Sequence, residues 1–307
     1  MRNKRQFLGV LFFSLAGSLI ASTQDQTSVS TAGAPPKLLL LVHREIKFGK
    51  AGERQKLEAS LTRAFDRLTV PNSWIDLQSI TGPPKALSFD PFDSFEHLGR
   101  AADDWGRIFA ARPELARMQE EVEALVSSES TLIAVRRDDL GYRPDSIDLS
   151  QARFLRVFEV RLLPGHESDF VEAFEILGEA YQKIKADLPW VVYEVNVGVP
   201  APAFLIFVPM RTLQQNDDLL SWRKSLREAE GEVAARRMDE IARDAYVSTE
   251  SNLYEVSPEM SHVSKEFAHG DPEFWTPRRP PENAKPAASK EDRKPSVQKG
   301  AGSKQNQ

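Results

Sequence analysis

The chain has 307 residues, of which 41% are hydrophobic and 28% are charged, so it can build a folded core and is not disordered along its whole length. Its formal net charge is −5 and it contains no cysteine. These values argue against a nucleic-acid partner bound by broad phosphate neutralisation, and they exclude disulfides, thiolate metal sites and cysteine nucleophiles.

The first 23 residues have the pattern of a secretory signal peptide. Three basic residues near the start precede an apolar run of 14 residues, Phe7 to Ile20. Small residues then predict cleavage before Gln24. Because a bilayer span needs about 20 apolar residues, a cleaved signal is favoured over an uncleaved anchor. We therefore expect a periplasmic or secreted protein.

A short linker at 24–36, rich in Ser, Thr, Gly, Pro and Gln, precedes a first folded unit at 37–145. Alternation and helical spacing of its apolar residues predict four strands and three helical pieces. The predicted strands are 38–48, 73–80, 86–89 and 131–136, and the predicted helices are 53–68 and a region over 94–128 that Pro113 divides.

A second unit at 152–265 shows the same order of elements. Its predicted strands are 154–163, 190–197, 203–210 and 252–256, and its predicted helices are 167–185, 216–228 and 230–247. The strand at 203–210 is apolar almost throughout, which indicates burial on both faces.

The chain ends in a basic tail at 277–307, where eight Lys or Arg residues stand against three Asp or Glu residues. Its composition predicts disorder, and we expect it either to be solvated or to touch anionic surfaces such as lipid. The body at 26–276 has 29 basic and 41 acidic residues, so it is acidic and disfavours nucleic acid further.

Local sequence matches indicate that the two units are repeats. Residues 126–135 and 247–256 share six identities in ten at an offset of 121. Trp74, Gly82 and Pro84 match Trp190, Gly198 and Pro200 at an offset of 116, and residues 45–47 match 159–161 at an offset of 114.

The predicted fold class is therefore α+β, with two tandem ferredoxin-like β-α-β-β-α-β units. Two such sheets bury both inner faces when they pair into one α/β barrel within the chain. The segment from Phe158 to Phe170, with its strand, Pro164-Gly165 turn and helix start, resembles the dimeric α/β-barrel superfamily, which includes antibiotic-biosynthesis-monooxygenase-like and NIPSNAP-like domains. Unit one departs from this pattern, with Gly49 to Gly52 in place of Pro-Gly. The resemblance implies either oxygenase chemistry or a barrel without catalytic activity.

His43 and Glu45 are the candidate catalytic residues. They stand two residues apart on the first strand, so their side chains share one face. On the barrel interior, Glu45 would hold His43 as a base or as an axial haem ligand. The alternatives are a solvent-facing strand end or a satisfied internal pair. At an offset of 114, Glu159 corresponds to Glu45 and His43 to Val157, which predicts one site per chain.

Five further residues are candidates for lining a ligand site. They are Trp74, Tyr142, Glu159, Trp190 and His262. The two tryptophans open equivalent strands, a position that also suits core packing. Tyr142 and His262 occupy equivalent positions where the chain leaves each unit, so both are expected to rim or cover the barrel mouth.

No cofactor is assigned, and no metal site is predicted, because the five histidines show no His-x-x-x-His spacing. No dinucleotide, P-loop or nucleophile-elbow motif occurs. Three hypotheses follow. The leading one is a barrel that binds a small apolar or aromatic ligand. The others are a cofactor-independent or haem-linked oxygenase, and a structural or interaction module with a filled barrel. The sequence leaves the oligomeric state open.

Overall fold

The computed structural model describes residues 33–276. The predicted signal peptide, most of the predicted linker and the basic tail lie outside the described residues. Within the described range, no helix is both long enough and apolar enough to span a bilayer.

The first unit contains four strands and three helices in the predicted order. Its elements are β1 (Leu38–Ile46), α1 (Ala51–Phe65), β2 (Trp74–Ser79), β3 (Lys85–Phe92), α2 (Phe95–Ala111), α3 (Pro113–Glu123) and β4 (Val126–Tyr142). Pro113 is the first residue of α3, where its missing N–H has no helical partner to lose. The predicted division of the helical region at this proline is confirmed.

The second unit repeats this order. Its elements are β5 (Phe154–Leu162), α4 (Glu167–Lys183), β6 (Trp190–Val197), β7 (Ala203–Met210), α5 (Gln214–Asp244) and β8 (Tyr246–His262). The two predicted helices at 216–228 and 230–247 form α5, which has a non-helical residue at Gly231. Two short helices follow, α6 (Lys265–Ala268) and α7 (Pro272–Trp275).

The eight strands close into one antiparallel barrel in the order β1-β3-β2-β8-β5-β7-β6-β4. Each unit supplies four strands, and the two units join where β2 pairs with β8 and where β4 pairs with β6. The predicted α+β fold, with two ferredoxin-like units forming a barrel within the chain, is therefore confirmed.

The strands β4 and β8 are much longer than predicted, with 17 residues each. One part of β4 pairs with β1 of its own unit, and another part pairs with β6 of the second unit. The strand β8 does the same with β5 and β2. Near their starts, residues 127–131 and 248–251 are polar and exposed, so these stretches lack the apolar alternation on which the shorter predictions at 131–136 and 252–256 depended.

The barrel interior is filled by apolar side chains from all eight strands. These include Leu39, Leu41, Leu77, Leu87, Phe89, Leu132, Leu155, Val157, Val191, Tyr193, Leu205, Phe207, Tyr254 and Val256, all of them buried. The end of the barrel at which β1 and β5 begin is covered by Ile147, Leu149 and Trp275.

Residues before β1 and residues after β8 complete this cover. The Trp275 indole donates to the Ser150 carbonyl at 2.8 Å, and Leu149 N–H donates to the Gly33 carbonyl at 2.7 Å. The Tyr193 hydroxyl donates to the Pro36 carbonyl at 2.9 Å. Residues 33–36, predicted as linker, are thus bonded to the barrel, and Trp275, which lies beyond the predicted end of unit two, belongs to its core.

Candidate functional site

The opposite end of the barrel is polar. The inward-facing row of β1 runs Leu39, Leu41, His43, and the row of β5 runs Leu155, Val157, Glu159, because every second side chain of a strand faces the same way. Each row thus changes from buried apolar residues to a polar residue near the end of its strand. The barrel therefore has an apolar interior beneath a polar mouth.

His43 and Glu159 meet across this mouth. The strands that carry them are four places apart in the eight-stranded barrel, so the side chains come from opposite walls. His43 Nδ1 lies 3.7 Å from Glu159 Oε1. The imidazole Nε2 is buried and has no hydrogen-bond partner among the described residues. One ring nitrogen is therefore near a carboxylate, while the other is buried and has no described partner.

A cavity of about 160 Å³ lies at this mouth. It is lined by His43, Arg44, Glu45, Lys85, Ala86, Ser128, Ser130, Glu159 and Tyr254. Lys85 Nζ forms an ion pair with Glu250 Oε1 at 2.6 Å, and the Asn252 amide donates to the same oxygen at 2.7 Å. Arg44, the other basic residue of the lining, is paired with Glu129 at 2.8 Å. Both basic side chains are thus neutralised by residues outside the lining, and the Glu45 and Glu159 carboxylates leave the cavity acidic.

Burial lowers the pKa of His43 below its ordinary value of 6.5. Removal from water disfavours the charged imidazolium, and the positive charge of Lys85 acts in the same direction. Glu159 and Glu250 oppose these effects by favouring the imidazolium, yet burial is the largest contribution. His43 is therefore neutral near pH 7 and able to accept a proton or a hydrogen bond.

The strand pairing shows which positions of the two units correspond. A β-bulge follows Glu45 in β1, and one follows Arg161 in β5. The two nine-residue strands thus align at an offset of 116, which pairs His43 with Glu159 and Glu45 with Arg161. The predicted offset of 114, with Glu159 equivalent to Glu45 and Val157 equivalent to His43, was wrong by two residues.

The expectation that Glu45 holds His43 also requires correction. Both side chains line the same cavity, as their shared strand face predicted. However, Glu45 is exposed, and the carboxylate within ion-pair distance of His43 is that of Glu159. Glu159 was predicted only as a ligand-lining residue, because its meeting with His43 depends on the closure of the barrel.

The last strands of the two units, β4 and β8, also correspond at an offset that differs from the predicted 121. Ile46 pairs with Val126 and Leu162 pairs with Tyr246, so equivalent positions of β4 and β8 differ by 120 rather than 121. The six identities at 121 therefore equate residues on opposite strand faces. Leu132 lies in the barrel, for example, whereas Leu253 packs outside it.

The remaining predicted ligand residues lie outside the barrel, between the sheet and the helices. Trp74 stacks on His262 with ring centres 5.0 Å apart, and Tyr142 stacks on Trp190 at the same distance. Each pair joins the two units, since Trp74 faces His262 across β2 and β8, and Tyr142 faces Trp190 across β4 and β6.

Backbone and side-chain bonds fix both stacked pairs. Trp74 Nε1 donates to the Met260 carbonyl at 2.8 Å, and Trp190 Nε1 donates to the Leu140 carbonyl at 2.9 Å. The Tyr142 hydroxyl donates to the Ala186 carbonyl, and His262 Nδ1 lies 2.7 Å from Asp66. These four residues stabilise the unit junctions and do not line the mouth, which corrects their assignment as ligand residues.

The histidines do not build a metal or haem site in residues 33–276. No group of three or more His, Asp or Glu side chains in this range can hold a metal ion, although Glu259 and Glu266 each stand three residues before a histidine. The cavity beside His43 does not enclose a haem, because its volume of about 160 Å³ is smaller than the roughly 300–1,000 Å³ of drug-sized ligand sites.

Comparisons with known proteins find similar solved structures. No family model and no curated protein matches the chain. An anthrone oxidase-like protein is 14% identical, with 74% of this chain and 93% of that chain covered and a TM-score of 0.49. A variant chlorite dismutase from Candidatus Nitrospira defluvii is 9% identical, with coverages of 75% and 95% and a TM-score of 0.44.

A haem-binding protein from Thermus thermophilus is 12% identical, with coverages of 73% and 92% and a TM-score of 0.39. At such identities the likeness is one of overall architecture, and the strand order defines the fold of this chain. Two β-α-β-β-α-β halves close one eight-stranded barrel, and the chain therefore has a dimeric α/β-barrel fold, completed within a single polypeptide.

Proposed function

We propose that this protein binds a small polar molecule in the open mouth of its barrel, where His43 is the central contact. The supporting observation is the His43–Glu159 pair at the cavity that both residues line, in which His43 Nε2 is buried and unpartnered among the described residues. A buried polar atom without a partner costs free energy, and a bound hydrogen-bonding group would remove that cost.

The chemistry of the mouth selects the ligand class. A proton on Nδ1 faces Glu159, so Nε2 is the acceptor and requires a donor on the ligand. With His43 neutral, the carboxylates of Glu45 and Glu159 make the cavity favourable for neutral or cationic molecules and unfavourable for anions. A small alcohol or amine meets both conditions.

The size of the cavity narrows this class further. A cavity of about 160 Å³ is smaller than the roughly 300–1,000 Å³ of drug-sized ligand sites, so the ligand is a small molecule. The small apolar or aromatic ligand expected from the sequence is not proposed, because buried side chains fill the interior where it would lie. A filled interior is what the hypothesis of a structural or interaction module predicts. The polar mouth, however, favours ligand binding over a purely structural role.

Titration of the mature protein with small probes, followed by amide NMR, tests this proposal. Ethanolamine or ethylene glycol should give saturable shifts at Ser130, Glu159 and Tyr254, whereas acetate should not. His43→Ala should weaken this binding at least tenfold, because it removes the acceptor. The exposed His269→Ala is the matched control and should bind normally. Shifts that do not saturate, or equal binding by His43→Ala, would contradict the proposal.

A second candidate is acid–base catalysis in the same cavity. A neutral imidazole with a lowered pKa beside a carboxylate is the arrangement of a general base, with Glu159 in the orienting role first given to Glu45. An oxygenase that begins by deprotonating its substrate would use such a general base. Deuterium entering a carbon position of a small ketone in D₂O, lost in His43→Ala, would support catalysis rather than binding alone.

Export before Gln24 and contact of the basic tail with anionic surfaces remain proposals from the sequence. Both concern residues outside the described range.

A further inference from the structure

Tyr254 is a buried residue of the barrel mouth whose hydroxyl has no partner. It belongs to β8, is 1% exposed, and lines the same cavity as His43 and Glu159. Its hydroxyl makes no hydrogen bond within residues 33–276, where burial and two carboxylates are the only influences on its pKa. The tyrosine therefore brings an unused hydrogen-bonding group to the cavity.

The polar side chains next to Tyr254, by contrast, are already bonded. Asn252, two residues earlier on the same strand face, donates to Glu250 at 2.7 Å. Ser79, which pairs with Tyr254 across β2 and β8, donates to the Pro83 carbonyl at 3.0 Å. The Tyr254 hydroxyl thus differs from its polar neighbours in lacking a described partner.

The first unit has a small residue at the position equivalent to Tyr254. Leu39 pairs with Ala134 and Leu155 pairs with Tyr254, so the strand register makes Ala134 and Tyr254 equivalent. Both are buried in the barrel interior. The fold therefore does not require a tyrosine here, and a phenylalanine would fill the same space without an unpaired hydroxyl. Because a buried hydroxyl without a partner costs free energy, its presence indicates a hydrogen bond to a ligand.

The two unpaired groups of the mouth have complementary roles. Burial raises the pKa of Tyr254 above its ordinary range, and the negative charges of Glu159 and Glu250 act in the same direction. The phenol is therefore protonated near neutral pH and offers an O–H donor. The neutral His43 ring offers an acceptor at Nε2. The cavity thus presents an acceptor from β1 and a donor from β8.

We propose that Tyr254 determines the ligand class of the mouth, by selecting small molecules that carry a hydroxyl oxygen beside a second donor group, as amino alcohols and diols do. This inference rests on the proposed function and adds a second contact to it. The donor of the ligand binds His43 Nε2, while its hydroxyl oxygen accepts from the Tyr254 O–H. Ser128 and Ser130 also line the cavity, but both are exposed, so their hydrogen bonds with water must be broken before they bind a ligand.

Ethanolamine and ethylamine are a matched pair of probes, because both are small cations at neutral pH and only ethanolamine has a hydroxyl oxygen. In amide NMR titrations, the wild type should bind ethanolamine about fivefold more tightly, as one additional hydrogen bond provides. Tyr254→Phe should reduce ethanolamine affinity to that of ethylamine and leave ethylamine affinity unchanged. Tyr246→Phe is the control and should keep the preference, because it removes a hydroxyl of the same strand that packs outside the barrel.

The ¹³Cζ resonance of Tyr254 provides an independent measurement. This carbon carries the hydroxyl, so its chemical shift responds to the hydrogen bonding of that group, and its signal is identified by its loss in Tyr254→Phe. It should shift on saturation with ethanolamine and stay in place on saturation with ethylamine.

The outcomes separate this inference from the proposed function. Equal affinity of the wild type for the two probes, or an ethanolamine preference that persists in Tyr254→Phe, would overturn the role of Tyr254. If His43→Ala still weakens ethylamine binding in that case, the proposed function stands without Tyr254. If neither probe binds the wild type, both proposals fail together.

Discussion

Asp90 on β3 is a buried carboxylate of unit one that lies near Arg44 and Asp76. Burial is the main reason that its pKa rises from 3.8 to about 7. Arg44 and the hydrogen bonds from Asn72 and Ser88 oppose this rise, while Asp76 adds to it. The Asn72 amide also accepts from Trp105 of α2 at 2.7 Å, so Asp90 lies at the end of a chain of bonds that reaches this helix.

Asp90 should make stability depend on pH. Its folded-state pKa is raised, so the folded protein binds the extra proton, and this contribution is complete below about pH 3.8 and is lost as the pH rises through about 7. Asp90→Asn mimics the protonated form, so the wild type should lose stability relative to this variant between these values. Denaturant melts across this range measure it, with the exposed Asp103→Asn as control. A constant difference between wild type and Asp90→Asn would contradict the assignment.

The turn between β6 and β7 shows how a single residue permits barrel closure. Gly198 has a positive φ of 116°, and a Cβ there would lie 2.6 Å from the Leu132 Cα and the Thr131 carbonyl oxygen. This turn therefore packs directly on the backbone of β4 at the junction of the two units. Glycine is required both for its dihedral angle and for the close approach.

Gly198→Ala should destabilise the protein more than Gly165→Ala. Gly165 also has a positive φ, of 91°, but a Cβ there would meet nothing within 4 Å. Gly165→Ala should therefore cost only the backbone strain of about 1–3 kcal/mol, whereas Gly198→Ala adds the clash with β4. Chemical denaturation of the two variants measures this difference. Equal losses would show that the contact with β4 can relax.

Local patterns predict most of the elements, since apolar spacing and Pro or Gly breaks depend on neighbouring residues alone. The strands at 190–197 and 203–210 agree with the structure residue by residue. The ends of β4 and β8 were not predictable in this way, because they are defined by pairing with strands distant in sequence, including strands of the other unit.

The candidate site could also be predicted only in part, because some of its contacts join strands that are distant in sequence. The shared face of His43 and Glu45 follows from strand alternation, and both line the mouth. The partnership of His43 with Glu159 requires two distant strands to face each other across a closed barrel. Sequence reasoning also missed a group of charged residues in unit one, which is Arg44, Arg54, Glu58, Asp76 and Asp90. These residues are scattered over β1, α1, β2 and β3, and local spacing does not group them.

At the scale of the whole molecule, the two units are related so that equivalent positions face each other. His43 and Glu159 are equivalent residues of β1 and β5, and they meet between opposite walls. The stacks of Trp74 on His262 and of Tyr142 on Trp190 are likewise equivalent to each other. The duplication thus supplies a symmetric frame, and the proposed mouth site lies where the two halves differ, at His43 and Glu159.

The most direct test of the mouth as a binding site is a ¹⁵N NMR titration of the His43 imidazole in the wild type and in Glu159→Gln. Burial should place the His43 pKa below 6.5 in the wild type. The proton of the neutral ring should be on Nδ1, which lies 3.7 Å from Glu159 Oε1. Because Glu159 favours the imidazolium, Glu159→Gln should lower this pKa further. A pKa at or above 6.5, or one that does not change in Glu159→Gln, would contradict the pairing on which the proposed function depends.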